Sequence, residues 1–238
     1  MNSSYNPYAV SPVAEAPLET RTDFVRKTYI HLAGAIGLFA LIETMLIKMG
    51  AGVIALNLLS ANRYSWLVVL LAFMGVSWLA NKMAYSGASK GAQYAGLIIY
   101  TLAEAVIFLP LIMIAAITDV SIIGKAGVVT GFMVLGLTAI AFTTKKDFTF
   151  LGGALKVVGL VALGVIVAGV FMPGLMTGMG IWFSIAMVIF ASGSILYNTS
   201  AIMYHYAPGQ HVAASLSLFA SVALLFWYVL RIFLATRD

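Results

Sequence analysis

The sequence predicts an all-α membrane protein built from seven transmembrane helices. Of its 238 residues, 62% are hydrophobic and only 9% charged, with a mean hydropathy of +1.03, whereas soluble domains carry about 25% charged residues. Seven apolar runs follow the first 27 residues, each close to the roughly 20 residues that cross a ~30 Å hydrocarbon layer. The runs are continuous and do not alternate with period two, which favours helices over a barrel with a polar lumen.

Residues 1–27 are polar and contain Pro7, Pro12 and Pro17, without a short apolar core before a small-residue cleavage site. They read as a flexible tail preceding a membrane domain over 28–238, and the first apolar run then acts as an uncleaved anchor. That run, about 28–49, has His31 near one end and Glu43 beyond its middle, placed to snorkel toward interfacial water. The second, about 64–84, ends at Asn81 and Lys82.

The third run, about 92–116, holds the most isolated carboxyl of the chain, Glu104, with Pro110 six residues later. An intramembrane carboxyl is costly, ~2.5–3.5 kcal/mol on insertion scales, and normally faces a bundle interior or a wet cavity. Glu104 reads equally as a proton-titrating or cation-coordinating group and as a protonated interhelical tie. Pro110 removes a backbone donor and is the expected kink. Only Thr118, Asp119 and small neighbours separate this run from the fourth, about 121–142, so a helical hairpin is expected, with one long bent helix as the alternative.

In the fourth run Gly127 and Gly131 stand one turn apart, as do Ala213, Ser217 and Ser221 in the seventh, about 211–234. Both rows read as helix-packing seams first and as pore lining second. The fifth run, about 149–171, carries Lys156 two turns in, within reach of the headgroups; the sixth covers about 178–200. His205 and His211 lie in the loop between the last two runs, and with His31 they lack metal-ligand spacing, so no metal site is expected.

Basic residues flank the spans. Arg21, Arg26, Lys27, Lys82, Lys90, Lys145, Lys146 and Lys156 fall on one side, against Lys48, Arg63, Lys125, Arg231 and Arg237 on the other. Eight against five places the N-terminus in the cytoplasm and, with an odd number of spans, the C-terminus outside. The net charge of +5 is therefore read as topology signals and not as a nucleic-acid surface, which needs a contiguous basic face. The chain has no cysteine and hence no disulfide. The last span has no lysine for a retinal Schiff base, no histidine lies deep enough for an intramembrane Ser-His protease, and no phosphate-binding loop is present. No enzymatic activity and no cofactor are expected.

Two stretches carry a family likeness. One is Thr143-Thr-Lys-Lys-Asp-Phe-Thr-Phe-Leu-Gly-Gly153; the other runs from Ser194-Ile-Leu-Tyr197-Asn198-Thr199 to Ala214-Ser-Leu-Ser217-Leu-Phe-Ala-Ser221 and on through Trp227-Tyr228-Val-Leu-Arg231. In their order and spacing, with seven spans and a proline-bearing third span, the chain from about 24 to 234 resembles a bacterial-type member of the Bax inhibitor-1 (TMBIM) family. The resemblance implies a C-terminal helix wrapped by the other six, location in a bacterial inner membrane, and one of two roles. The first is a pH-sensitive leak of calcium or another cation. The second is an adaptor that binds and restrains a membrane-anchored AAA protease.

In leak-type members a pair of aspartates from the last two spans shares a proton and latches the pore, because two close carboxyls do not both ionise easily. Here the corresponding positions are Asn198 and Ser221. They can keep a hydrogen bond but do not titrate near neutral pH. A leak through this chain is therefore expected to be weakly pH-dependent or lost, with Glu104 and Glu43 as its remaining intramembrane acidic groups.

Overall fold

A computed structural model describes residues 12–85, 89–144 and 146–237; residues 1–11, the first part of the expected tail, lie outside it. The described chain is helical, with helices α1 (Leu18–Lys48), α2 (Ala51–Ala61), α3 (Ser65–Ala84), α4 (Lys90–Asp119), α5 (Ser121–Thr143), α6 (Leu151–Phe171), α7 (Pro173–Tyr204) and α8 (His211–Ala235). Seven of these are long and apolar enough to cross a membrane.

The exception, α2, is missing from the sequence reading because its 11 residues rise only ~16 Å, half a bilayer. It follows Gly50, whose φ of 76° allows the chain to turn sharply after α1. It lies against α4, where Gly52 leaves room for the Met113 side chain.

Helix α1 starts at Leu18, ten residues before the apolar run, with Pro17 at its N-cap. Its first turns are polar, and Asp23 pairs with Arg26 (3.0 Å) and Lys27 (2.6 Å). Ahead of it Val13 is fully buried, and its backbone N–H donates to the Tyr206 carbonyl at 2.9 Å. Residues 12–17 thus pack on the α7–α8 loop, which hydropathy alone does not reveal.

The centre of the bundle belongs to α8, which packs on α1, α3, α4, α5 and α7. Its residues Leu216, Leu218, Leu225 and Leu230 are at most 1% exposed. Helix α4 is similarly enclosed and runs parallel to α8: Tyr100 meets Phe219, Phe108 meets Trp227 at 4.8 Å between ring centroids, and Thr118 accepts from Arg237. By contrast α6 packs chiefly on α7, with Leu160 (70% exposed) turned outward. Outward apolar side chains are what a hydrocarbon surround permits.

The boundary after α4 is a hairpin. Val120 alone separates α4 from α5, and Asp119 closes the turn by accepting from the Ser121 amide (2.9 Å) and hydroxyl (2.8 Å). At this face Arg237 pairs with Asp119. The far end of α5 has Phe142 beside Tyr29, next to Thr28, whose carbonyl accepts from Ser215 at 2.8 Å on the opposite face. The chain therefore reverses at Val120. Pro110 is accommodated inside a continuous α4; Val106, whose carbonyl loses its donor there, faces outward.

Close approaches explain two glycines. A Cβ on Gly96 would lie 2.6 Å from the Ala80 carbonyl oxygen and 2.9 Å from the Ala84 nitrogen, so α3 and α4 touch backbone to backbone there. A Cβ on Gly152 would meet the Tyr197 ring at 2.9 Å, which seats α6 against α7.

Candidate functional site: two cavities meeting at Asn198 and Ser221

Asn198 lies three-quarters of the way along α7 and Ser221 in the middle of α8, and these antiparallel helices bring the two side chains together. The Asn198 Nδ2 donates to Ser221 Oγ at 2.8 Å and to the Ser217 carbonyl at 3.2 Å. Ser221 also donates back to the Ser217 carbonyl at 3.3 Å. The short side chains Ala220 and Ser221 leave the space that the longer Asn198 crosses.

Two cavities flank this contact and share Ala220 and Ser221 in their walls. Toward the C-terminal face lies a space of about 560 Å³ between α3, α4, α6, α7 and α8, lined mainly by aromatic and aliphatic groups with Tyr100, Glu104, Tyr228 and Arg231 as its polar members. Toward the N-terminal face lies one of about 360 Å³, lined by Asn81, Lys156, Ser194, Tyr197, Asn198 and Ser217 among others. Glu104 is 6% exposed and lies one helical turn after Tyr100, which lines the same cavity. It is the one carboxylate among the lining residues of either cavity. One carboxyl with a phenol supplies too few oxygens for a calcium cage, which takes 6–8.

A hydroxyl triangle closes the N-terminal end. Tyr85 and Tyr206 hydroxyls approach to 2.6 Å, and both reach Ser217 Oγ, at 2.8 and 3.0 Å. Burial raises the Tyr206 phenol well above its ordinary value, so it stays a neutral hydroxyl. Through the Ser217 carbonyl the triangle continues into the Asn198–Ser221 contact. Tyr85 and Tyr206 sit outside the apolar runs, where nothing in the sequence marks them as partners. Ser217, read as packing from its spacing, is instead the node of this network.

The remaining predicted residues are dispersed. Glu43 lines neither cavity, and it does not snorkel: it is 4% exposed, and neither carboxyl oxygen has a hydrogen-bond partner among the described residues. It sits on the inward face of α1, one turn from Phe39 and Ile47, which both pack on the core. Pro110 lies near the cavity without lining it. Lys156 stays exposed as expected of a snorkelling lysine, but it also lines the smaller cavity with Asn198. Of the histidines, His31 and His211 face each other at 5.1 Å between ring centroids, and His31 Nε2 contacts the Tyr94 hydroxyl at 3.1 Å. Gly127 and Gly131 are not a packing seam, since no atom would lie within 4 Å of a Cβ on either.

Comparison with known proteins agrees with this architecture. Residues 21–238 match the family model described as inhibitor of apoptosis-promoting Bax1. An uncharacterized protein of Pseudomonas aeruginosa, PA2604, is 32% identical over 171 residues, which cover 70% of this chain and 72% of that protein. Protein LIFEGUARD 4 of Arabidopsis thaliana is 27% identical over 230 residues, covering 94% and 88%. The modulator of FtsH protease YccA of Escherichia coli is 34% identical over 115 residues, covering 44% and 51%. Seven membrane-length helices with α8 at their centre and a match over nearly the whole chain together establish that this protein belongs to the Bax inhibitor-1 family.

Proposed function

We propose that this chain is a leak path for calcium or another cation, held shut by the uncharged contact between Asn198 and Ser221. The observation that carries the reading is the pair of cavities that approach this contact from opposite faces and share Ser221. Glu104 is the one carboxyl that faces the wider cavity, the place in it where an intramembrane polar group meets a pathway. Neither gate side chain titrates near neutrality, so flux is little changed between pH 6 and 8.

The topology that goes with this reading has the N-terminus in the cytoplasm of a bacterial inner membrane and the C-terminus outside. The smaller cavity then opens inward and the larger one outward.

The test is cation efflux from liposomes containing the purified chain. Flux above protein-free vesicles and flat with pH is expected, and the double substitution N198D with S221D makes it pH-sensitive by restoring a carboxyl pair. Flux no greater than in protein-free vesicles overturns the reading.

A second reading has its own observation, the similarity to an FtsH protease modulator. In it the chain is a non-conducting adaptor for a membrane-anchored AAA protease. Co-purification from native membranes, with and without residues 1–11, tests it; this deletion spares the buried Val13. Failure to recover the protease with the full chain counts against it.

A further inference from the structure

Helices α1 and α5 each pack on α8 and leave a cleft between them of about 730 Å³, walled by Leu32 and Ile36 on one side, Gly131 and Val134 on the other, and floored by Phe219 and Val222. The glycines of α5 keep it open: nothing lies within 4 Å of a Cβ placed on Gly127 or Gly131. Its rims are apolar and turned outward, with Leu135 68% exposed, so the cleft faces the hydrocarbon sideways.

Hydroxyls inside it are short of partners. Threonines elsewhere in the bundle donate to the carbonyl four residues back, as Thr28, Thr44, Thr101 and Thr118 do. Thr130, 4% exposed, lines the cleft and has no partner among the described residues. Thr138 also lines it, with its hydroxyl beside that of Tyr29, which neighbours Thr199 in turn toward the N-terminal face; none of the three finds a partner outside this cluster among the described residues. A buried hydroxyl left unbonded is costly, and a ligand acceptor placed there removes the cost.

We propose that the cleft holds one acyl chain of a phospholipid from the leaflet on the N-terminal face, with an ester carbonyl accepting from the hydroxyls of Tyr29 and Thr138. The lining selects the occupant. From Val25 to Ala40 the α1 wall runs about 22 Å, the walls are apolar and the cleft opens sideways to the hydrocarbon, so an extended acyl chain lies along it in contact with both helices.

The test uses a phosphatidylcholine carrying a diazirine along one acyl chain, reconstituted with the full chain in liposomes, photolysed and mapped by peptide mass spectrometry. Adducts on the cleft wall around Thr130, Gly131 and Val134 are expected several-fold above those at Leu160 and Val161 on the outward face of α6. The double substitution G127L and G131L fills the cleft and lowers these adducts several-fold, whereas G164L on α6, where a Cβ also meets nothing within 4 Å, leaves them unchanged. Cleft adducts in the unsubstituted chain no more frequent than those on α6 overturn the proposal without reference to any variant. Crosslinks joining two protein chains through the cleft overturn it too, by assigning the space to a second copy.

Discussion

Replacing Asn198 by leucine tests the gate most directly, because the side chains are close in size and only the hydrogen bonds disappear. Two bonds are lost, 2.8 Å to Ser221 Oγ and 3.2 Å to the Ser217 carbonyl. Ser221 keeps its bond to the Ser217 carbonyl, so no acceptor or donor is stranded. Side-chain hydrogen bonds between membrane helices average ~0.6 kcal/mol each in double-mutant cycles, so the closed state loses about 1.2 kcal/mol. If both bonds break on opening, flux in liposomes rises about sevenfold, since ~1.4 kcal/mol is a factor of ten. The control is Ser217→Ala, which removes the hydroxyl triangle but keeps the carbonyl that Asn198 reaches, and leaves flux within about twofold. Flux in Asn198→Leu that matches the unsubstituted chain, with thermal unfolding unchanged, refutes the assignment of this contact as the gate.

Gly96→Ala forces α3 and α4 apart at a 2.6 Å approach and is expected to cost about 1–3 kcal/mol in thermal or detergent unfolding; unaltered stability would contradict the backbone contact described here. Glu43→Met removes two buried, unpartnered oxygens and is expected to stabilise the bundle by about 1–3 kcal/mol, so a loss of stability would reveal a hydrogen-bonding role for that carboxyl. Arg237→Ala breaks a solvent-screened pair with Asp119 and leaves the unfolding midpoint in the same assay unchanged, because the α4–α5 turn is held by Ser121. The Thr149 hydroxyl and amide hold the Asp147 carboxyl below its ordinary value of 3.8. This depressed value means that the capping of the turn Phe148–Phe150 is complete above 3.8 and is lost as pH falls through the folded-state value. Amide exchange at Thr149 is therefore unaffected by the Asp147 carboxyl between pH 6 and 8 and loses its protection only in acid.

The sequence by itself determined that the chain crosses a membrane seven times, because the length of an apolar run is a direct measure of what a hydrocarbon layer accepts. The resemblance to the family, and not any spacing within the chain, pointed to Asn198 and Ser221 as corresponding positions of the last two spans. Helix α2 escaped because 11 apolar residues satisfy no span, and the burial of Val13 because its partner Tyr206 lies far along the chain. Only the tertiary structure decided what each apolar face touches. In a bilayer, lipid and a neighbouring helix are equally apolar, so a glycine in an apolar span marks backbone contact at Gly96 and an open cleft at Gly131. The fate of polar groups was likewise decided by packing. Glu43 and Glu104 look alike in sequence, yet one is sealed on the inward face of α1 without a partner and the other lines a cavity beside Tyr100. The physical reason is that helical period fixes which residues share a face, while the neighbour that face meets depends on how seven helices pack around α8.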